Sequence, residues 1–400
     1  MTAVLLQCNR RTLGVVAVQG ACIALAIGLA ESAGAHGTAW LLTGDSAVLP
    51  VALALAVAAA WGTRAGLARL LDCAGPRERL LVIGTTEASV TFSRELSARR
   101  SQLGVEVVGF VGLERPSQGR PILETGVLGH IGDLPELVRR QRVDRVVVDL
   151  AEARGRLPVD ALLDVRLRGI PVDHLASAYE RYTGKIALAA LRPSWLIFST
   201  GFRHTRLLAA AKRTLDVGAT SIGLLIALPL AAIVAVAVKL TSPGPVFYSQ
   251  RRVGQNGRVF TIHKFRSMRV DAELASGAVW ATPNDPRLTP IGQVLRSTRL
   301  DELPQLWNVL QNDMSLVGPR PERPEFVSRL GKDVPFYSQR HLAKPGLTGW
   351  AQISYPYGAS VDDALQKLQY DLYYLKHMSV VFDVFFLVAT LRTVWLRSGR

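Results

Sequence analysis

The sequence predicts a membrane-associated α/β protein, and three features predict it. Long uncharged apolar runs occur near the N-terminus and again at mid-chain. Between them lies a stretch in which strand and helix patterns alternate. Beyond the mid-chain run the composition turns basic and rich in Gly and Pro. The length of 400 residues suits two ordinary domains plus membrane segments. A formal net charge of +15 suits nucleic acid, anionic headgroups or phosphorylated substrates, and the apolar runs favour the last two. The three cysteines, Cys8, Cys22 and Cys73, show neither a disulfide framework nor zinc spacing.

Residues 12–30 carry no charge and are long enough to cross a hydrocarbon core of about 30 Å. Residues 37–63 form a second run, interrupted only by Asp45. Arg10 and Arg11 precede the first run, Arg64 and Arg69 follow the second, and the connector has no Lys or Arg. This asymmetry predicts a transmembrane helical hairpin within 1–70 with both ends cytoplasmic. A cleaved signal peptide is the lesser reading, because a second span follows at once.

Strands at Leu80–Gly84, Val105–Phe110 and Arg145–Val148 alternate with helices at Ala88–Arg99 and Leu134–Arg140. That order predicts a Rossmann-like parallel α/β domain over 77–182. Its first turn, Gly84-Thr85-Thr86-Glu87-Ala88, lacks the second and third glycines of a dinucleotide fingerprint, which favours a structural or regulatory module. A linker, 183–211, leads to the mid-chain run.

That run, Val217–Val238, has Lys212 and Arg213 before it, Lys239 after it and Pro229 in its middle. Basic residues at both ends pull both to one side, and Pro229 removes a hydrogen bond that lipid does not replace. A helix that breaks near Pro229 and returns, and a kinked span with basic anchors, fit these facts equally. Val380–Leu391 is too short to span and reads as an interfacial or packed helix.

Candidate chemistry lies beyond Lys239. From Lys239 to Arg269 there are seven Lys or Arg and no acid, which suits phosphate or anionic lipid. Residues 296–307 read as a helix start capped by Ser297 or Thr298, with Leu300, Leu303, Leu306, Trp307 and Leu310 on one packed side. Asp301 then points roughly opposite that side and Glu302 lies at its margin, both at a helix N-terminus near Arg296 and Arg299. An ionised carboxylate there can hold a metal or attack phosphorus. For a bare Asp-Glu pair, an acidic first turn is the commoner explanation. Three cationic clusters weigh against it: Lys264 to Arg269 with Lys264 and Arg266, Arg320 held between Pro319 and Pro321, and the segment from Lys344 to Gln352 with two glycines and Trp350.

In these segments the chain resembles the catalytic region of bacterial polyprenyl-phosphate phosphoglycosyl transferases, the initiating sugar transferases of exopolysaccharide assembly. The carrying motifs are Lys212-Arg213-Thr214-Leu215-Asp216, Thr241-Ser242-Pro243-Gly244-Pro245, Lys264-Phe265-Arg266-Ser267-Met268, Leu300-Asp301-Glu302-Leu303-Pro304, Val317-Gly318-Pro319-Arg320-Pro321-Glu322 and Lys344-Pro345-Gly346-Leu347-Thr348-Gly349-Trp350. The α/β part is similar to the nucleotide-binding-like domain of the family's long members, and Tyr179–Ile186 and Pro193–Ser199 resemble an exosortase-associated exopolysaccharide subgroup.

The resemblance implies a mainly helical catalytic domain over 212–400 with a re-entrant membrane helix at 212–240 broken at Pro229. It implies the bacterial inner membrane, with the catalytic domain on the cytoplasmic side. The implied reaction has two steps. Asp301 attacks the β-phosphate of a UDP-sugar and releases UMP, and polyprenyl phosphate then takes the sugar phosphate. Magnesium is the implied cofactor, with Asp301 and Glu302 as metal residues. Lys264, Arg266, Arg296, Arg320, Lys344 and Gln352 would bind phosphates or nucleotide. No nucleic-acid partner is implied, and a homo-oligomer is left open. The chain departs from the family in having two N-terminal spans instead of four, and Leu228 instead of Ser before Pro229. A non-catalytic assembly or regulatory subunit, a nucleotide-sugar oxidoreductase and a basic nucleic-acid binder are the competing functions. The intact Asp301-Glu302 pair, the missing glycines and the apolar runs argue against each in turn.

Overall fold

A computed structural model of the chain describes residues 78–395 apart from 113–125, 150–157, 189–190, 192, 203–204, 274–276, 278, 280–284, 356–357 and 359. The hairpin expected within 1–70 lies outside the described residues. The chain divides into two compact units between Thr183 and Gly184.

The described part of the first unit is a parallel α/β layer. Strands β1 (Glu78–Ile83), β2 (Val105–Gly112), β3 (Val127–His130), β4 (Arg145–Val148) and β5 (Val172–His174) pair in the order β3-β2-β1-β4-β5, all parallel. Helices α1 (Glu87–Ala98), α2 (Leu134–Arg140), α3 (Val159–Leu167) and α4 (Leu175–Thr183) alternate with them. Leu80, Leu81 and Val82 are wholly buried, as a central strand covered on both faces requires. The short strands β3 and β5 add to the three read from the sequence.

Strand order reverses at β1, so a crevice forms beyond its C-terminal end. Gly84 turns there with φ 103°, and a Cβ on it would lie 3.1 Å from Asp149 Cβ. Ser89 Oγ donates to Asp149 Oδ2 at 2.8 Å, and Thr86, the N-cap of α1, bonds the same oxygen. The start of α1 thus faces a carboxylate of its own domain, where a dinucleotide fold would hold a pyrophosphate.

The second unit contains α5 (Pro193–Phe198), α6 (Arg206–Thr241), α7 (Pro290–Thr298), α8 (Gln305–Leu310), α9 (Pro324–Asp333), α10 (Trp350–Ser354), α11 (Val361–His377) and α12 (Val380–Trp395). Two small sheets join them: antiparallel β6 (Phe247–Val253) with β7 (Val259–Phe265), and parallel β8 (Ser315–Val317) with β9 (Gly346–Thr348). Residues 184–202, expected as linker, are built into this unit: Ile186 N–H donates to Gln369 O and Phe202 N–H to Lys376 O.

The helix α6 is long and apolar enough to cross a membrane. It runs as one helix through Pro229, where the sequence alone allows a break or a kinked span and the family resemblance implies a break. A proline removes one hydrogen bond and tends to bend a helix, but flanking turns can carry it across. The N-terminal turns of α6 grip the unit: Arg213 donates to Val309 O and Leu310 O at 2.7 Å, and Asp216 Oδ1 accepts from Ser315 Oγ and Leu316 N–H. Its C-terminal turns pack Val234 and Val238 against Phe265 and Leu295. Between these anchors Ile222, Leu225, Ile226 and Leu228 are exposed. The helix α12 packs Phe382 and Phe386 inward and leaves Val381 and Val388 outside.

Candidate active site

The carboxylate pair does not sit on the continuous helix start expected from spacing. Helix α7 ends at Thr298, and the Ser297 and Thr298 hydroxyls bond back to Val294 O at 2.9 and 2.8 Å instead of capping a new helix. Arg299 takes the left-handed conformation, φ 57°, and closes α7. A single 3₁₀ turn, Leu300–Glu302, follows, and α8 begins only after Pro304. The tight turn buries Asp301 and Glu302, whereas the helical spacing predicts that Asp301 faces outward and Glu302 lies at the margin.

Glu302 is the hub. Its Oε1 accepts Arg320 NH2 at 2.8 Å and Lys264 Nζ at 3.3 Å, and its Oε2 lies 4.0 Å from Arg299 NH1. Burial opposes its ionisation, but Arg320, Lys264 and Arg299 outweigh burial and hold the carboxyl well below the usual range. Asp301 differs. Burial first, and then the charge of Glu302, push its carboxyl up against the pull of Lys264, Arg296 and Arg320. The sequence predicts that cations keep Asp301 ionised. In the structure the direct pairing goes to Glu302, and the same cations act on Asp301 through charge. Among the described residues none donates a hydrogen bond to the Asp301 carboxylate, which leaves it open to a ligand.

Strand β7 delivers Lys264. Phe265 enters the core beside α6, and strand alternation turns Lys264 to the opposite face. Arg296, on the last turn of α7, donates from Nε to Ser267 Oγ at 3.1 Å and acts on Asp301 through charge. The structure thus brings Lys264, Arg296 and Arg320 to the pair.

For three other expected phosphate residues the structure shows these surroundings. Arg266 is buried, and its NH2 bonds Ser242 O and Oγ at the end of α6. Lys344 bonds Asn312 and feels the charges of Arg213 and Lys212. Gln352 has a buried Nε2 with no partner among the described residues. Trp350 is a core residue. Its Nε1 donates to Gly184 O, and its ring packs on Tyr370, Phe382 and Phe386. The glycines of its segment approach backbone: a Cβ on Gly346 would lie 2.0 Å from Gly318 N, and one on Gly349 would lie 2.2 Å from Gly318 O.

Sequence reasoning missed Arg340. It is buried, pairs with Asp371 at 2.8 Å, bonds Tyr337 OH and donates to Arg320 O at 3.0 Å. It therefore fixes the backbone that presents Arg320. Nothing local marks it, because Asp371 is distant in sequence.

Residues 207–397, which include the pair and all three of its cations, match the model of the bacterial sugar transferases. A Bacillus subtilis (strain 168) protein named putative undecaprenyl-phosphate N-acetylgalactosaminyl 1-phosphate transferase is 52% identical over 131 residues, 33% of this chain and 73% of that one. The chain belongs to the bacterial sugar transferase family. Within this sugar transferase family, the exopolysaccharide production protein PSS of Rhizobium leguminosarum bv. phaseoli is 42% identical over 43% of this chain and 89% of its own length. The UDP-N-acetylgalactosamine-undecaprenyl-phosphate N-acetylgalactosaminephosphotransferase of Aeromonas hydrophila is 42% identical over 259 residues. That match covers 64% of this sugar transferase chain and 60% of the Aeromonas protein, so the chain spans only about three-fifths of that relative.

Proposed function

We propose that this chain transfers a sugar 1-phosphate from a UDP-sugar to polyprenyl (undecaprenyl) phosphate at the cytoplasmic face of the bacterial inner membrane, in exopolysaccharide synthesis. One observation carries the reading: a buried carboxylate, Asp301, accepts no hydrogen bond among the described residues while its neighbour Glu302 absorbs Arg320 and Lys264. The named activities of the relatives support it.

In the first step a carboxylate oxygen of Asp301 attacks the sugar-bearing phosphorus. A P–O bond forms, the bond to the UMP oxygen breaks, and UMP leaves with the electron pair. Lys264, Arg296 and Arg320 offset the charge that develops on the phosphate oxygens. In the second step a phosphate oxygen of the lipid attacks the same phosphorus and the Asp301 carboxylate departs unchanged.

The two adjacent carboxylates supply hard oxygen donors, and no described cluster of three metal-binding side chains exists here. That donor set fits Mg²⁺, which is commonly held by one or two carboxylates together with substrate phosphates. Asp301 and Glu302 would hold it, and it would neutralise diphosphate charge.

The packing of α6 supports a re-entrant arrangement bent at Pro229. Both its ends grip one compact unit, while its middle is exposed and apolar.

The test is to incubate the full chain with UDP-sugar alone. The expected result is one UMP per chain and a sugar-phosphate mass on the peptide bearing Asp301. Asp301→Asn should lose at least about a thousandfold in turnover with the fold retained, the scale of losing a nucleophile. Normal turnover of that variant would overturn the assigned role.

A further inference from the structure

A second cluster of cations stands apart from the Asp301 pair. Thr205, Leu208, Ala209, Lys212, Arg213 and Asp216 recur at helical spacing along the first turns of α6 and line one wall of a cavity of about 280 Å³. Lys344, Leu342 and Met378 close it from other segments. We propose that this cavity is a lipid-phosphate site: it receives the phosphate of a membrane lipid whose hydrocarbon chain leaves along α6. The identity of that lipid as the acceptor rests on the transferase reading above.

Charge and shape carry the proposal. Lys212 and Arg213 are held in place by protein partners: Lys212 by Asp383 and Tyr374 OH, Arg213 by the carbonyls that end α8. Their charges are fixed without a search over rotamers. Among the described residues Lys344 hydrogen-bonds the neutral Asn312 oxygen, and burial together with Arg213 and Lys212 depresses its ammonium against the pull of Asp216 and Asp313. A site that crowds a third cation against two others gains most from an anion. Leu208, Leu342 and Met378 add an apolar wall, which inorganic phosphate would not use and the first carbons of a lipid chain would.

Position agrees. Lys212 lies five residues before the uncharged run that begins at Val217. At about 1.5 Å per residue this is about 7 Å along the axis, comparable to the headgroup layer on each side of a hydrocarbon core. Size agrees as well. Sites that enclose a drug-sized ligand are roughly 300–1,000 Å³, so the cavity suits a phosphate and a few carbons better than a whole nucleotide sugar.

The experiment uses the full chain in phosphatidylcholine nanodiscs with two variants, Lys344→Gln and Ala209→Trp. The first removes a cation and the second fills the cavity from the exposed side of the helix. Each should raise KM for polyprenyl phosphate at least about tenfold, the loss expected for a charge-assisted hydrogen bond or a blocked site, without raising KM for the UDP-sugar. A rise in KM for the UDP-sugar instead would place Lys344 beside the nucleotide and overturn the proposal.

A readout without turnover accompanies it. Intact-complex mass spectrometry follows lipid retention from discs doped with polyprenyl phosphate or with phosphatidylglycerol. Selective loss of polyprenyl phosphate from the variants identifies the acceptor, and equal loss of phosphatidylglycerol identifies a bulk phospholipid. Both support a lipid-phosphate site. Wild-type retention by both variants, or complete displacement by inorganic phosphate, overturns it. Absence of UMP release by the unmodified chain would defeat the transferase reading and leave the retention result standing.

Discussion

Asp301 and Glu302 carry the same functional group on successive residues, and their surroundings divide the work. Glu302 takes two cations and is held ionised, and no described residue donates a hydrogen bond to the Asp301 carboxylate. Arg320 was visible in the sequence because prolines flank it, and Lys264 because it stands in a cationic cluster. Arg340 was invisible because its partner comes from α11. Arg340→Ala should leave Asp371 buried and unpaired and cost about 3–5 kcal/mol of stability, read by denaturant unfolding in detergent. Arg340→Lys should recover little of that, since an ammonium lacks the fork that reaches Asp371, Tyr337 and Arg320 O together.

At the scale of elements, the site depends on interruptions. The spacing of Leu300, Leu303, Leu306 and Leu310 reads as one helix, but the chain forms a 3₁₀ turn and then α8. The left-handed Arg299 ends α7, and Pro304 offers no N–H to continue a ladder. Spacing reports which residues pack and is blind to a one-residue reversal of φ. The pairing of β8 with β9 likewise needs glycine on both sides of a backbone crossing. Gly346→Ala should force β9 from Gly318 at a cost of about 1–3 kcal/mol and loosen the segment that carries Arg320. Thermal unfolding together with kcat should show both effects, and an unchanged kcat would mean that the crossing does not position Arg320.

At the scale of the whole chain, the re-entrant arrangement proposed for α6 makes a topological prediction. Cysteines placed at the exposed positions Thr205 and Thr241, in a background lacking Cys8, Cys22 and Cys73, should both react with an impermeant maleimide from the cytoplasmic side only. Labelling from opposite sides would mean that the helix crosses. Stability should also depend on pH through His341, whose ring is lowered from 6.5 to about 4, by burial first and then by Arg340. The unfolded chain therefore binds more protons between those values. The contribution of His341 is complete above about pH 6.5 and is lost as pH falls through about 4. The expected loss is about 1–2 kcal/mol, below the full value of the shift because the ring is partly open to solvent. His341→Gln should flatten that part of the melting-temperature profile.

The sequence by itself determined the parallel α/β layer, the apolar character of α6 and the motifs that place the chain in its family. Those properties are local: hydrophobic period, absence of charge and motif order survive in one dimension. Only the tertiary structure decided which cations pair with Glu302, that Arg266 bonds Ser242 and Trp350 bonds Gly184 O, and that Lys344 joins Lys212 and Arg213 around a separate cavity. Such assignments depend on distances between segments more than 130 residues apart along the chain, as Lys344 is from Lys212 and Arg213, and a buried charge takes the partner that packing places within reach.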